Sequence, residues 1–585
     1  MNGAEPKSRL PLPRGGGVWP AARRGRDGHP SWPADLAVGA GLFGLFSLVV
    51  VLATAGHGRV PGAQISLRFA ALPLYALYSL LRMTAAYVLS LAFSLAYGYI
   101  AATNRRAERV LVPILDILQS IPILSFLPPV VLALAGLFPR SGLGVEIAAV
   151  ILVFTSQAWN MTFSFYNSML TVPRELREVA RLYRLSPWQR FRQLELPYAA
   201  VGLVWNSMMS WAGGWFFLMA AEMFSLGSRS FRLPGLGSYL QEAANTGDLR
   251  AILGGLATLI LLIVALDQLV WRPLIAWADK FKVETISGQT PPRSSVLMLL
   301  RRSLLVDWLT TRFLAPWTER LDAGLARRGR TVGAGRPALG RRLAGWLGAA
   351  VVVAAAALAL GRGIGVLART PGTELAALPL ATLLTVLRVF AALVLSSLWT
   401  IPVGVFIGMN RAWADRLQPI VQILASIPAT ALFPIVLLWL GPHLSWGAVL
   451  LMLLGTQWYV LFNVIAGAMS IPSDLREVTD LFGLGRLERW RTLILPGIFP
   501  LLITGLITAA GNAWNTTIVA EYVQFGNRTV STLGLGSEIA RASQHQQYGL
   551  LLASTAVLSL VVVLINRFFW RRMYRLAETR FTVLS

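Results

Sequence analysis

The sequence predicts an all-α integral membrane protein of about twelve transmembrane helices, arranged as two tandem six-helix units. Three observations predict it. The 585 residues are 55% hydrophobic and 14% charged, with a mean hydropathy of +0.60; a soluble domain is roughly 45–50% apolar and 25% charged. Apolar stretches of about 20 residues, enough to cross a bilayer, recur along the chain. The chain also repeats itself, half upon half. This composition argues against a soluble enzyme and excludes an intrinsically disordered chain.

Residues 1–35 form a basic, Pro/Gly-rich arm with Arg9, Arg14, Arg23, Arg24 and Arg26. The first span, 36–55, reads as a retained helix, because a cleaved signal peptide sits earlier and has a shorter apolar stretch. Further spans are expected at about 84–102, 112–137, 143–168, 198–222 and 250–271, making 36–282 a first transmembrane domain. Residues 283–342 read as a cytoplasmic linker. Within it, 296–317 has apolar residues at helical spacing broken by Arg301, Arg302 and Arg312. That pattern suits an interfacial amphipathic helix or a solvated linker helix. The second domain, 343–585, has spans at about 343–361, 389–408, 417–440, 446–468, 497–521 and 548–570.

Charge sets the orientation. The chain has 52 Lys and Arg against 27 Asp and Glu, a net +25. Basic residues mark the cytoplasmic loops of membrane proteins, and here they cluster in the arm, the linker, the segments 104–109 and 410–413, and the loop after each fourth span. The outward segments 138–142 and 441–445 carry one Arg between them. Both termini are therefore expected on the cytoplasmic side, and the charge needs no nucleic-acid partner.

Absences exclude other chemistry. The chain has no Cys, so disulfides, Cys-ligated zinc, iron–sulfur clusters and thiol nucleophiles are excluded. Its Lys residues are Lys7, Lys280 and Lys282, none after a Gly, so it has no Gly-Lys-Ser/Thr phosphate loop. His29, His57, His443 and His545 are scattered, with no i, i+4 partner for a metal site.

Laying the chain on itself exposes the repeat. Leu72-Pro73, Arg82, Asn104, Pro113, Ile121-Pro122 and Pro128 recur 306 residues later, at Leu378-Pro379, Arg388, Asn410, Pro419, Ile427-Pro428 and Pro434. Seven extra residues near 139–144 then lower the offset to 299, where Trp159, Leu176-Arg177-Glu178-Val179, Leu196-Pro197, Trp215, Ala221-Glu222 and Gly235-Leu236-Gly237 meet identical partners. Six spans per half make the two halves point the same way. A pseudo-two-fold axis along the membrane normal, with a pathway between the halves, is the expected arrangement.

The most informative stretch follows each fourth span. Residues 172–197 and 471–496 each read as Pro and acidic residues, a short helix, a turn, a second short helix and a closing Leu-Pro. Val179 and Leu182, like Val478 and Leu481, share a helical face. An isolated loop has no reason to keep such a face unless it docks into something.

These loops resemble the EAA loop of binding-protein-dependent ABC importers, Glu-Ala-Ala-x3-Gly-x9-Ile-x-Leu-Pro. Glu178 and Glu477 match the Glu, Ala180 and Thr479 the second Ala, and Gly483 the Gly, where the first loop has Arg184. Leu194 and Leu493 fill the Ile position before Leu196-Pro197 and Leu495-Pro496. The resemblance covers about 72–272 and 378–571. It implies a type I importer permease in a bacterial inner membrane, with two permease domains fused in one chain. It implies coupling through Val179 and Val478 with their neighbours to two separate ATPase subunits that use ATP and Mg, and delivery by an extracytoplasmic substrate-binding protein. No cofactor on this chain is implied. The Ile-Pro segments, Trp215 and Trp514 before Ala-Glu, and the Gly-Leu-Gly loops resemble the nitrate/sulfonate/taurine/bicarbonate branch, which implies a small anionic substrate.

Candidate pathway residues are polar groups and Trp within spans. Gln157, Trp159 and Asn160 are set against Gln457, Trp458 and Tyr459. Asn206, Trp215 and Glu222 lie in or near the fifth span, with Asn512, Trp514, Asn515 and Glu521 in its partner. Such groups either line a water-filled path or bond helix to helix; Glu222 and Glu521 tilt towards a gate or packing role. Arg82 and Arg388 are expected at outer span ends, as snorkelling anchors, and the Pro pairs are expected to kink the third spans. A secondary carrier also fits two six-span halves, but it has no need of two matched docking loops. A membrane enzyme has no supporting motif.

Overall fold

The computed structural model describes residues 64–281 and 360–580, apart from 121, 139–141, 224, 227–228, 231, 441–443 and 526–527, with isolated positions between 296 and 358. The arm 1–35, the span 36–55, nearly all of the linker 283–342 and most of the span 343–361 lie outside the described residues.

Among the described residues the fold is all-α apart from two short hairpins. In the first half the helices are α1 (Leu72–Thr103), α2 (Arg105–Ser120), α3 (Leu127–Leu137), α4 (Leu143–Thr171), α5 (Arg174–Leu182), α6 (Pro187–Arg190), α7 (Leu196–Glu222), α8 (Leu236–Thr246), α9 (Leu249–Leu266) and α10 (Arg272–Ala278). Strands β1 (Ser225–Leu226) and β2 (Arg229–Ser230) pair antiparallel between α7 and α8. The second half repeats the order: α11 (Leu378–Met409), α12 (Arg411–Ser426), α13 (Ala429–Leu440), α14 (Leu444–Met469), α15 (Ser473–Leu481), α16 (Arg486–Arg489), α17 (Leu495–Ala520), β3 (Tyr522–Phe525), β4 (Arg528–Ser531), α18 (Leu535–Gln544), α19 (Tyr548–Ile565) and α20 (Arg571–Arg580). Among the described residues, seven helical segments are long and apolar enough to span a membrane, three in the first half and four in the second.

Each half is held by a seam of small residues. α1 runs parallel to α4 and buries Ser79, Ala86, Ser90, Ser94 and Ala101 along one face. Ser90 Oγ donates to Phe154 O at 3.2 Å, Ser94 Oγ to Ala158 O at 3.2 Å, and Thr162 Oγ1 to Ser94 Oγ at 2.9 Å. Between apolar helices in lipid, close van der Waals contact and such hydroxyl bonds replace the hydrophobic effect. The second half keeps one such bond, Ser396 to Thr456 at 3.1 Å, and sets Gly404 and Gly408 of α11 against Val464 and Ile465 of α14.

The third spans differ from the continuous helices expected at 112–137 and 417–440. Each is broken, not merely kinked. α2 ends at Ser120 and α12 at Ser426, and Pro122 and Pro428 sit in extended or uncoiled backbone before helix resumes. Proline lacks an N–H and forces the residue before it out of the helical region. In the first half the freed backbone groups find a partner in the other half: Asn515 Oδ1 accepts from Ile123 N at 2.5 Å and Leu124 N at 3.4 Å. On the other side the Thr430 side chain ties the second broken span to α7, its Oγ1 donating to Phe216 O at 3.4 Å. Irregular backbone at membrane depth is tolerated where protein satisfies it in this way.

The seam yields a test. A Cβ on Gly408 would lie 2.5 Å from the Ile465 carbonyl oxygen, which is backbone and cannot swing aside. Gly408→Leu should destabilise the detergent-solubilised protein by about 1–3 kcal/mol or more, read as an earlier thermal unfolding transition.

Candidate functional site

The two loops after α4 and α14 fold alike. α5 and α15 follow Pro173 and Pro472 at the N-cap and end in the same C-terminal motif. Leu185 N donates to Ala180 O at 3.1 Å and Arg184 N to Arg181 O at 2.9 Å; Leu484 N to Thr479 O and Gly483 N to Asp480 O repeat the pattern at 3.2 and 3.0 Å. These are the paired bonds of a Schellman turn, which needs one left-handed residue. Gly483 supplies it at φ 61°, and Arg184 adopts it at φ 48° despite its side chain. The substituted turn therefore keeps its geometry.

The turn leaves an apolar tip in the open. Leu182 and Tyr183 are 82% and 77% exposed, Leu481 and Phe482 86% and 79%, with Val179 and Val478 one helical turn back. Ala180 and Thr479 face the other way and are buried. Thr479 Oγ1 donates to Arg476 O at 2.7 Å and accepts from Arg489 Nε at 3.2 Å, replacing alanine's plain contact with a polar clasp. Glu178 and Glu477 are exposed and make no ion pair among the described residues.

Arg177 and Arg476 were not singled out as site residues by sequence reasoning, and they fix the loops. Arg177 Nη2 donates to Met169 O at 2.6 Å; Arg476 Nη2 donates to Ala468 O at 2.8 Å and its Nη1 to Met409 O at 3.3 Å. A cation on C-terminal carbonyls also meets the negative end of the helix dipole. Their signal was their identity in both copies. On the far side, α6 and α16 run through one π-turn, Phe191–Glu195 or Trp490–Ile494, into Leu196-Pro197 and Leu495-Pro496 at the first turn of α7 and α17. The widened turn precedes a proline that cannot donate to it.

At the opposite end of α7 and α17 the buried carboxylates are locked. Arg82 is not a snorkelling anchor: α1 starts at Leu72, so Arg82 lies inside the helix and is buried. Its Nη1 donates to Glu222 Oε1 at 2.8 Å and to Pro234 O at 2.8 Å, and its Nη2 to Glu146 Oε1 at 2.7 Å. Glu222 also accepts from Ser79 Oγ at 2.7 Å and Gly237 N at 2.8 Å. Arg388 departs from the anchor expectation in the same way, donating to Glu521 Oε1 at 2.9 Å and Leu533 O at 2.7 Å, while Thr385 Oγ1 and Gly536 N donate to Glu521 at 2.9 and 2.8 Å. Each carboxylate thus sits at the N-terminus of α8 or α18, where backbone N–H groups favour negative charge. A Cβ at Gly235 or Gly534 would overlap it, which is why the outer loops carry glycine.

The remaining polar candidates divide. Gln157 is buried between α1 and α4, accepting from Ser90 Oγ at 3.5 Å; its equivalent at the 299 offset is Thr456, bonded to Ser396 at 3.1 Å, so Gln457 is one position out of register. Asn206 bonds Ser164 Oγ at 3.0 Å, and Asn515 caps the broken span of the other half. Trp514 is buried and Asn160 exposed. Trp159 packs edge-on against Phe93, and its indole nitrogen is buried with no partner. Of these candidates, Trp215, Trp458, Tyr459 and Asn512 meet in one cavity. It measures about 330 Å³ and lies between α7 and α9 of one half and α12, α14 and α17 of the other.

Comparison with known proteins matches both halves to one family. The profile described as "Binding-protein-dependent transport system inner membrane component" matches residues 94–270 and 400–582, so both loops and the carboxylates Glu222 and Glu521 fall within matched sequence, while their partners Arg82 and Arg388 lie just before it. The chain belongs to this family. This permease is 28% identical to the taurine transport system permease protein of Escherichia coli over 179 residues, 31% of this chain and 62% of that one. It is 27% identical over 187 residues to the bicarbonate transport system permease protein of Synechococcus elongatus (32% and 65% covered). Against the nitrate import permease protein of a Synechocystis strain it is 26% identical over 168 residues (29% and 58%). The permease covers less than two thirds of the length of each of these relatives.

Two outcomes are expected from this geometry. Arg184→Gly should remove the side-chain penalty of the left-handed turn, about 1 kcal/mol, and slow hydrogen exchange of the Leu185 amide roughly fivefold. Arg82→Met leaves Glu222 buried without its cation and should cost about 3–5 kcal/mol, whereas Arg82→Met with Glu222→Met should regain most of it; thermal melting of the two variants in detergent distinguishes them.

Proposed function

We propose that this chain forms the translocation pathway of an ATP-binding cassette importer and couples it to two separate ATPase subunits. The observation that carries the proposal is the pair of exposed apolar tips, Leu182-Tyr183 and Leu481-Phe482, raised on matched loops. Exposed aromatic and aliphatic side chains on a rigid turn are suited to filling pockets on a partner. α5 and α15 are each braced to the end of the preceding span by an Arg, so force applied at the tip reaches the membrane helices. The chain itself hydrolyses nothing; ATP and Mg belong to the ATPases. In this reading the loop side is cytoplasmic, both termini lie there, and a substrate-binding protein delivers a small anion to the hairpin side. Relatives named for taurine, bicarbonate and nitrate support an anionic cargo.

The carboxylates weigh against an ion-driven carrier. A proton relay needs a titrating group near mid-membrane, whereas Glu222 and Glu521 sit at helix ends, each held by an Arg and a backbone N–H. The two loops also differ in charge. The first carries six Arg and three Glu between 172 and 197, and the second four Arg against four acidic residues between 471 and 496, so the two docking surfaces are not equivalent.

The test reverses charge beside the tips. Glu178→Lys with Glu477→Lys should leave the protein in the membrane at normal level but abolish substrate-stimulated ATP hydrolysis by the co-expressed ATPase. Normal uptake by that double variant would sink the proposal.

A further inference from the structure

The cavity between the halves is chemically one-sided. From α7 it receives Trp205, Met208, Met209 and Trp211. At the equivalent positions of α17 the chain has Thr504, Ile507, Thr508 and Ala510, and Phe216 is answered by Asn515. Trp205 and Met209 form an exposed i, i+4 stripe on α7, and Thr504 and Thr508 form the same stripe on α17. A protein made of two identical chains would present one chemistry on both helices; fusion has let them diverge.

Across from Trp205 the cavity is closed by Trp458, Tyr459 and Phe462 of α14. Among the described residues that line it there is no Lys, Arg or His, and Asp267 is its one charged side chain, bound by Arg272 at 3.0 Å and Gln268 at 3.2 Å. Its neutral hydrogen-bonding groups include Asn512, whose Nδ2 donates to Gly455 O at 2.8 Å and keeps a second N–H, and the indole N–H of Trp211, which is buried without a partner. A bare inorganic anion entering here would exchange its water for ring faces and a nearby carboxylate, an unfavourable trade. An anion carrying a flat apolar body would gain burial and ring stacking, while Trp211 and Asn512 offer bonds to its head. A volume of about 330 Å³ suits a small organic molecule.

We propose that this cavity receives the apolar body of an aryl sulfonate or aryl carboxylate, so that the cargo is an organic anion and not nitrate or bicarbonate. This rests on the transport reading above and narrows its substrate class.

The experiment uses the full chain with its co-expressed ATPases in nanodiscs, without ATP, and measures binding of labelled benzenesulfonate by equilibrium dialysis. Saturable binding about tenfold or more tighter than that of methanesulfonate is expected, with no competition by nitrate. Trp205→Thr with Met209→Thr, residues that α17 already carries at these positions, should weaken binding about tenfold, and Trp211→Phe, which keeps a ring but removes the N–H, about fivefold. Competition by nitrate at equal concentration, unaltered affinity in the double variant, or no saturable benzenesulfonate binding would overturn the proposal. If these fail while the loop variants still uncouple ATP hydrolysis, only the cargo class falls; if the loop variants transport normally, the importer reading falls with it.

Discussion

The arrangement depends on two buried ion pairs, Arg82–Glu222 and Arg388–Glu521. Each ties the second span to the end of the fifth and seats the carboxylate on the first turn of the following short helix. A carboxylate at this depth is expensive alone. Its neighbours make it stable by supplying an Arg, a Ser or Thr hydroxyl and a backbone N–H together. The pair therefore fixes relative positions more than it adds net stability, as buried ion pairs commonly do. Glu146 adds a second carboxylate to Arg82 in the first half; Ser445 stands at its equivalent in the second and bonds Thr532 instead.

Much of this was legible in the sequence. The repeat marked Arg82, Ala-Glu and Gly-Leu-Gly as recurring, and the structure shows them to be one cluster. What stayed hidden was their meeting. Residues 72–83 include Arg82, Ser79 and two Tyr, which depress apparent hydropathy, so the helix was expected to begin near 84 and its Arg to lie at an interface. A paired charge reads as an exposed one until its partner is found. The Ile-Pro segments announced a disturbance in the third spans, but a complete break requires donors and acceptors to be taken up elsewhere. Asn515, nearly four hundred residues away, does that for Ile123, and no local pattern records it.

The loops after the fourth spans were the most legible part, because their constraints are local. Capping proline, apolar face, left-handed turn and closing Leu-Pro all lie within about 26 residues of sequence. Arg184 stands where the pattern has Gly, and the backbone bonds to Ala180 and Arg181 hold the first turn in the same form as the second. The cavity was the least legible. Its lining comes from helices of both halves, and of the pathway candidates Trp215, Trp458, Tyr459 and Asn512 reach it.

The fifth span has a mechanical consequence. α7 is continuous from Leu196, beside the loop of α5 and α6, to Glu222, pinned to Arg82. Its 27 residues make a rod roughly 40 Å long. With one end clamped and the other joined through a π-turn to the loop, the rod has, under the proposed coupling, the geometry of a lever with its fulcrum at the ion pair. A tilt of about ten degrees at that fulcrum carries the loop end roughly 7 Å, more than one helical turn. A small displacement at one end of the span and a wide one at the other are thereby put in proportion by helix length alone.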